Sequence, residues 1–243
     1  MPNPTAAMLV IGDEILSGRT QDSNLHLLSK RLSEVGIDLR EARVVPDTEA
    51  GISEAVNQLR SRYDHVFTSG GIGPTHDDIT SDAIARAFGV ALDVREDALQ
   101  ALIAAYPGGR KHLNPERRRM ARVPDGAELI ANPVSGAPGY TIENVHVMAG
   151  VPAVFEAMLG GLLAGLDGGQ PVLAKSVRIE RPEGEIAKDL GKIARAFPQV
   201  SIGSYPYYGD GIPGSNVVVR GTDQASVRQA SARVRRLVVP REQ

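Results

Sequence analysis

Between Thr68 and Thr80 the chain reads Thr-Ser-Gly-Gly-Ile-Gly-Pro-Thr-His-Asp-Asp-Ile-Thr, which puts Gly70, Gly71, Gly73, Pro74, Thr75 and two adjacent carboxylates in one short stretch. Glycines at that density let backbone N–H groups turn toward an anion, and a helix starting behind the loop would add partial positive charge. Asp77 and Asp78 would repel a bare phosphate, so a hard divalent cation such as Mg²⁺ is the natural mediator. The chemistry suggested is a metal-assisted site for a phosphorylated small molecule.

Further carboxylates stand at comparable places. Asp13 and Glu14 lie in Gly12-Asp-Glu-Ile-Leu-Ser-Gly18, and Asp47 follows Val45-Pro46. Asp47 reads as the N-cap of the helix after it, a role compatible with facing a ligand. A second loop of small residues, Asn132-Pro-Val-Ser-Gly-Ala-Pro-Gly139, offers another wall. His76 would titrate near neutrality and is a candidate base, against the plainer reading of a solvent-facing loop histidine. The Arg117–Arg119 cluster is either an exposed helix face or a set of guanidinium forks for phosphate. Tyr205, Tyr207 and Tyr208 with Gly209–Gly211 read as a turn with partly buried rings, against the alternative of stacking on a ring from the second domain.

The elements that must position these groups follow from the patterning. Ala7–Ile11 is a continuous apolar run, as expected of a strand buried on both faces. Capping side chains in Thr20–Asn24 open a helix bearing Leu25, Leu28, Leu32 and Val35 on one side, closed by Gly36. Ile37–Val45 is a second strand, Ile52, Val56 and Leu59 mark a second helix, and His65–Thr68 is a third strand. This βαβαβα order predicts a three-layer α/β/α fold with a mostly parallel sheet, in which ligands bind beyond the carboxyl ends of the strands. Asp13, Asp47 and Asp78 all fall at that edge. A helix is predicted over Val94–Tyr106, broken by Pro107-Gly-Gly109, then a basic helix over Asn114–Arg122. Glycines at 160, 161, 165, 168 and 169 suggest a helix end passing into a linker. Beyond it a βαββα pattern predicts a small C-terminal α+β domain, giving domains at 1–168 and 169–243.

Composition narrows the function classes. The chain of 243 residues is 42% apolar and 23% charged, with a net charge of −2, ordinary values for a globular protein. That charge and an aromatic content of 4% without tryptophan argue against a nucleic-acid partner. The absence of cysteine excludes disulfides, thiolate metal sites and cysteine nucleophiles. No apolar run suits a signal or membrane helix, so the expectation is a cytoplasmic protein with no membrane partner.

Gly70-Gly-Ile-Gly-Pro-Thr-His-Asp-Asp-Ile-Thr80 resembles the signature loop of the molybdopterin-binding (MoaB/MogA-like) superfamily. Its form is nearest to the competence/damage-inducible protein A (CinA) N-terminal region and the molybdopterin-binding-like domain of FAD synthase. Gly12–Gly18 with Asn24, Val45-Pro-Asp47, Asn132–Gly139 and Ile202-Gly-Ser-Tyr-Pro206 support that resemblance. It implies that Asp78 and Asp47 occupy the family's acidic positions; the acidic pair itself points to Asp77 and Asp78 as the metal ligands, with help from Asp47 or Asp13. Catalytic roles would fall to Asp78, Asp47 and Asp77. Ligand contacts would come from Gly12, Asp13, Glu14, Asn24, Ser69, Gly70, Gly71, Gly73, Pro74 and Thr75, with Ser135, Gly136, Ala137, Pro138, Gly139 and Gly150 opposite. CinA relatives act as metal-dependent pyrophosphatases on ADP-ribose-like dinucleotides, and the FAD synthase domain is linked to FAD hydrolysis. The MoaB/MogA branch binds and adenylylates molybdopterin, and a non-catalytic pterin or nucleotide module is the third reading. The families are usually homo-oligomers. Two departures stand out: Asp77 replaces the arginine common before the loop aspartate in pterin binders, and Met148-Ala-Gly150 replaces Leu-Pro-Gly. The first favours metal chemistry. The deamidase domain of longer CinA proteins has no counterpart here, so deamidation is not expected.

Overall fold

The computed structural model describes residues 2–106, 108–209 and 212–238. They form two compact units, Met1–Gly169 and Gln170–Gln243.

The first unit opens with β1 (Thr5–Ile11), α1 (Asp13–Leu16), α2 (Asn24–Val35), β2 (Asp38–Val45), α3 (Glu49–Arg60), β3 (His65–Ser69) and α4 (Thr80–Phe88). It continues with β4 (Leu92–Val94), α5 (Glu96–Ala105), α6 (Pro115–Arg119), β5 (Arg122–Pro124), β6 (Glu128–Ile130), β7 (Gly139–Ile142), β8 (Val145–Met148) and α7 (Pro152–Leu163). The main sheet has the order β2-β1-β3-β8-β7-β6. Its first four strands are mutually parallel, and β7 and β6 add antiparallel pairs at the far side.

The apolar run of β1 serves both faces because side chains alternate along a strand. Ala7, Leu9 and Ile11 join the core against α3, α4 and α5, which contribute Ile52, Val56, Ile84 and Leu99. Ala6, Met8 and Val10 join the opposite core with Leu28 and Leu32 of α2 and Phe155 and Met158 of α7. Each of those fully buried large side chains is worth roughly 1.5–3 kcal/mol. The result is a three-layer α/β/α arrangement. Because β1, β2, β3 and β8 run the same way, their carboxyl ends gather at one rim.

Some boundaries differ from the sequence reading. The predicted helix over Val94–Tyr106 starts at Glu96, and Leu92–Val94 is instead β4, paired antiparallel with β5. The basic helix stops at Arg119. Arg122 belongs to β5, where it is ion-paired with Asp82 of α4. The glycine stretch does begin in a helix end as expected: Gly160 and Gly161 lie in the last turns of α7, held helical by its apolar face with Met158, Leu159 and Leu163 buried, and Gly165, Gly168 and Gly169 lie beyond it. Pro107 lies outside the described residues.

The second unit contains β9 (Leu173–Ile179), α8 (Glu183–Ala196), β10 (Ser201–Gly209), β11 (Ile212–Gly221) and α9 (Gln224–Arg235). Its antiparallel sheet, ordered β10-β11-β9, packs Val177, Ile179, Val217 and Val219 against Ile186, Leu190, Val227 and Val234. Tyr205, Tyr207 and Tyr208 sit on β10 rather than in a turn; the Arg178 guanidinium covers the Tyr207 ring, while Tyr208 is exposed. Among the described residues no helix is long and apolar enough to cross a membrane.

Candidate functional site

A cleft of about 430 Å³ opens over the rim where the parallel strands end. Gly70, Gly71, Ile72, Gly73 and Pro74 form its floor. The chain can pass there only with glycine at its first two positions. Gly70 has φ +111° and a Cβ would strike the Ile11 carbonyl; Gly71 has φ +68° and a Cβ would strike the Thr80 hydroxyl. That hydroxyl donates to the Gly70 carbonyl at 3.0 Å, and the Thr80 N–H donates to the Gly71 carbonyl at 3.0 Å. The turn is thereby tied to the start of α4. Thr80 thus braces the loop from within, and no side chain caps α4. The Gly70 N–H is spent on the Met148 carbonyl. Among the described residues, the N–H groups of Gly71, Ile72 and Gly73 have no hydrogen-bond partner. Three successive main-chain donors on residues that line a cleft are the type of group that takes phosphate oxygens.

Four carboxylates line the same cleft: Glu14, Asp47, Asp77 and Asp78. Asp47 comes from the loop after β2 and its Oδ2 accepts the Asp13 N–H at 2.9 Å, at the first residue of α1. Its expected part as cap of α3 is not what the structure has; Thr48 holds that position without a side-chain bond. Burial raises the Asp47 carboxyl above its ordinary range, and the negative charges of Asp13, Glu14 and Asp77 push it the same way, outweighing the Asp13 N–H. Asp77 is exposed and lies below the ordinary carboxylate range through the dipole of the nearby Thr75 hydroxyl, which donates to Asp78 rather than to Asp77, then through its own N–H, with help from His76 and Arg19. Asp78 is drawn back into its own loop: its Oδ2 accepts the Thr75 N–H at 2.8 Å and the Thr75 hydroxyl at 2.6 Å, and Arg119 donates to its main-chain carbonyl at 3.3 Å.

The facing wall carries Ser135, Ala137, Gly150 and Asn132. Asn132 is buried and shapes that loop. Its Oδ1 accepts the Val134 and Ser135 N–H groups at 3.1 Å each, while its Nδ2 donates to Ser135 Oγ and the Ala137 carbonyl. An asparagine heading Asn-Pro-Val-Ser is a recognisable turn signal. Met120, Val151 and Val154 also line the cleft, and nothing in their local pattern announces it.

The other residues named from the sequence fall around this cleft. Asn24 and Ser69, with Glu14 and Gly150, line a smaller chamber beside it. Gly12 is buried behind α1, Asp13 is exposed, and Thr75 is exposed with its donors turned to Asp78. Gly136 and Pro138 face an adjoining apolar hollow. Gly139 lies in β7, where a Cβ would meet Met158 and the Val147 carbonyl, so its smallness serves packing. His76 is exposed and lies off the cleft lining.

The donor set suits a hard divalent ion, since Glu14, Asp47 and Asp77 offer oxygens only. Among the described residues no three metal-ligating side chains are already gathered. Mg²⁺ asks for less: one or two carboxylates, completed by water and substrate phosphates.

The chain matches the family described as a probable molybdopterin binding domain over residues 7–174, and the FAD synthase middle domain over residues 171–242. A protein of Archaeoglobus fulgidus is 33% identical over 225 residues, spanning 92% of this chain and 93% of that one. A probable FAD synthase of Caenorhabditis elegans is 33% identical over 226 residues, covering 83% of this chain and 44% of the relative. Among solved structures, the protein CinA of Thermoplasma acidophilum, whose function is given as unknown, superposes with a TM-score of 0.61 at 36% identity. It covers 65% of this chain and 95% of that one.

Proposed function

Because the chain belongs to the molybdopterin-binding-domain family, in its CinA-like branch with a FAD synthase middle domain, we propose that it hydrolyses the diphosphate bond of a dinucleotide such as ADP-ribose or FAD with a divalent metal. The observation that carries this reading is the pairing of the unbonded N–H groups of Gly71, Ile72 and Gly73 with the carboxylates of Asp47 and Asp77 in one cleft. Amides alone would suit a phosphate and acids alone a cation; both together suit a diphosphate held through a cation.

In this reading Asp47 and Asp77 hold the metal, Glu14 supports them, and Asp78 sets the loop through Thr75. A divalent ion bound there would neutralise phosphate oxygens and make a water more acidic. The Gly71–Gly73 amides receive charge developing on the departing phosphate. Ser135 and Ala137 close the opposite side, and Met120 and Val154 provide apolar surface for a ring.

The test is a screen of ADP-ribose and FAD with Mg²⁺, Mn²⁺ and EDTA, read by release of AMP. Metal-dependent AMP release supports the reading. ATP consumption only with molybdopterin present would replace it with adenylylation.

A further inference from the structure

Averaged over the whole chain the charge is close to neutral, but the average conceals a division. Residues 1–169 carry 15 Lys and Arg against 22 Asp and Glu, a net charge of −7. Residues 170–243 carry 12 against 7, a net charge of +5. A split of that size points to different partners for the two units, and the basic one suits a polyanion. The argument against nucleic acid drawn from the overall charge therefore does not extend to the second unit.

The sheet of that unit has one face to offer. α8 and α9 cover the other, where Val177, Ile179, Val217 and Val219 are packed. Alternation along each strand sends the intervening residues to the uncovered side. Register sets them in rows across the strands: Tyr205 of β10 beside Asn216 of β11 and Arg178 of β9, with Gly203 and Ser176 in the next row and Arg220 in the row beyond. No acidic side chain stands in those three rows. The Tyr205 ring leans over Gly203, with atoms 3.0 to 3.3 Å from where a Cβ would stand, and the residue is 55% exposed. Among the described residues the Asn216 amide and the Arg220 guanidinium have no hydrogen-bond or ion-pair partner.

An open ring, an unspent amide and guanidinium groups on an acid-free sheet are the set that takes unstacked bases and the phosphates joining them. We propose that this face binds single-stranded nucleic acid, with a base stacked on Tyr205, the Asn216 amide on a base edge, and Arg178 and Arg220 on the flanking phosphates. A free nucleotide suits it less, because small ligands are held in concave sites that bury most of their surface. A strand gains instead from contacts repeated along the sheet. The proposal does not depend on the reaction assigned to the cleft of the first unit.

The experiment titrates fluorescein-labelled oligouridine and oligodeoxythymidine with the full chain across a salt series and reads anisotropy. Binding of either strand is expected, and the tighter of the two names the sugar. Tyr205→Ala should weaken binding roughly 5- to 100-fold, and Tyr205→Phe should restore most of it. Arg220→Ala should reduce the slope of log K against log salt by about 0.7. AMP release from ADP-ribose should be equal in Tyr205→Ala and wild type; its absence from both defeats the hydrolase reading and leaves this one standing. No binding, or equal affinity in wild type and Tyr205→Ala, overturns the proposal. Displacement of the strand by ADP-ribose with Mg²⁺ also overturns it, moving the contact to the cleft. UMP binding as tightly as the strand does so too, making the face a small-molecule site. A dimer that Tyr205→Ala dissolves, with no strand bound, gives the face to a second copy instead. Should that variant not fold, photocrosslinking of the wild type to a 5-iodouracil strand decides: an adduct on the peptide carrying Tyr205 supports the contact, and adducts only elsewhere overturn it.

Discussion

Asp47 and Asp13, from different strand ends, are joined by a single bond in which the Asp47 carboxylate takes the Asp13 N–H at 2.9 Å. That bond uses one oxygen of Asp47 to order α1 and leaves the other at the cleft. Asparagine keeps the accepting oxygen and loses the charge. Asp47→Asn should therefore fold with a Tm equal to or slightly above wild type, because Asp13, Glu14 and Asp77 no longer face another anion. Its AMP release should fall at least ~100-fold. A clear drop in Tm would show that the charge, and not the bond, holds α1.

Asp77 has no structural bond of comparable weight. Asp77→Asn should leave the melting curve unchanged while abolishing the Tm rise that Mg²⁺ gives in the presence of ADP-ribose. An Asp77→Asn chain stabilised as strongly as wild type would move the metal elsewhere. Asp78→Ala should differ, lowering Tm as well as turnover, since it removes the oxygen that ties the loop through both donors of Thr75.

The floor of the cleft is sensitive through its brace. Thr80→Val keeps the shape and deletes the buried hydrogen bond to the Gly70 carbonyl. The expected loss is about 1–3 kcal/mol in denaturant unfolding, because an acceptor is left unpaired. Gly71→Ala should cost at least as much, from its positive φ and the contact with Thr80.

Acid stability should carry a histidine signature. His146 is buried in β8, its Nε2 3.2 Å from His65 Nδ1 and its Nδ1 3.0 Å from Thr141 Oγ1. Burial, then the His65 charge, pushes His146 down to about 3; burial also lowers His65, against the opposing pull of Asp64. The unfolded chain therefore binds more protons than the folded one between about pH 6.5 and pH 3. Stability from this pair is full above that window and is lost as pH falls through it. His146→Gln should flatten the decline of Tm over pH 7 to 4, and an unaltered slope would assign acid unfolding to other groups.

The β7–β8 turn offers a stabilising change. Glu143 has φ +49° at the first central position of a two-residue hairpin loop, where glycine is preferred. Its ion pair with Arg60 is exposed and adds little. Glu143→Gly is expected to raise stability by about 0.5–1 kcal/mol, read by thermal or denaturant unfolding.

The architecture was legible because its signals are periodic. The apolar run 7–11, the 3.6-residue spacing of Leu25, Leu28 and Leu32, and the acids at strand ends all predict the parallel sheet and its rim. Three things were not legible. Residues 92–94 form a strand only because Arg122–Pro124 lies alongside, a pairing with no local mark. Asp47 accepts a bond from the first residue of α1 and does not cap α3, and that partner lies 34 positions earlier, where no local pattern marks it. Met120 and Val154 reach the cleft by packing alone, and their apolar spacing is that of any core residue.

The donors of Gly71, Ile72 and Gly73 belong to the main chain, so no exchange of side chain removes them while the turn keeps its shape. Any grip they give on an anion would be inherited with the turn, whereas the acids and Ser135 are each one codon away from something else. A lineage holding this scaffold could change what it does to a phosphate compound without ever relearning how to hold one.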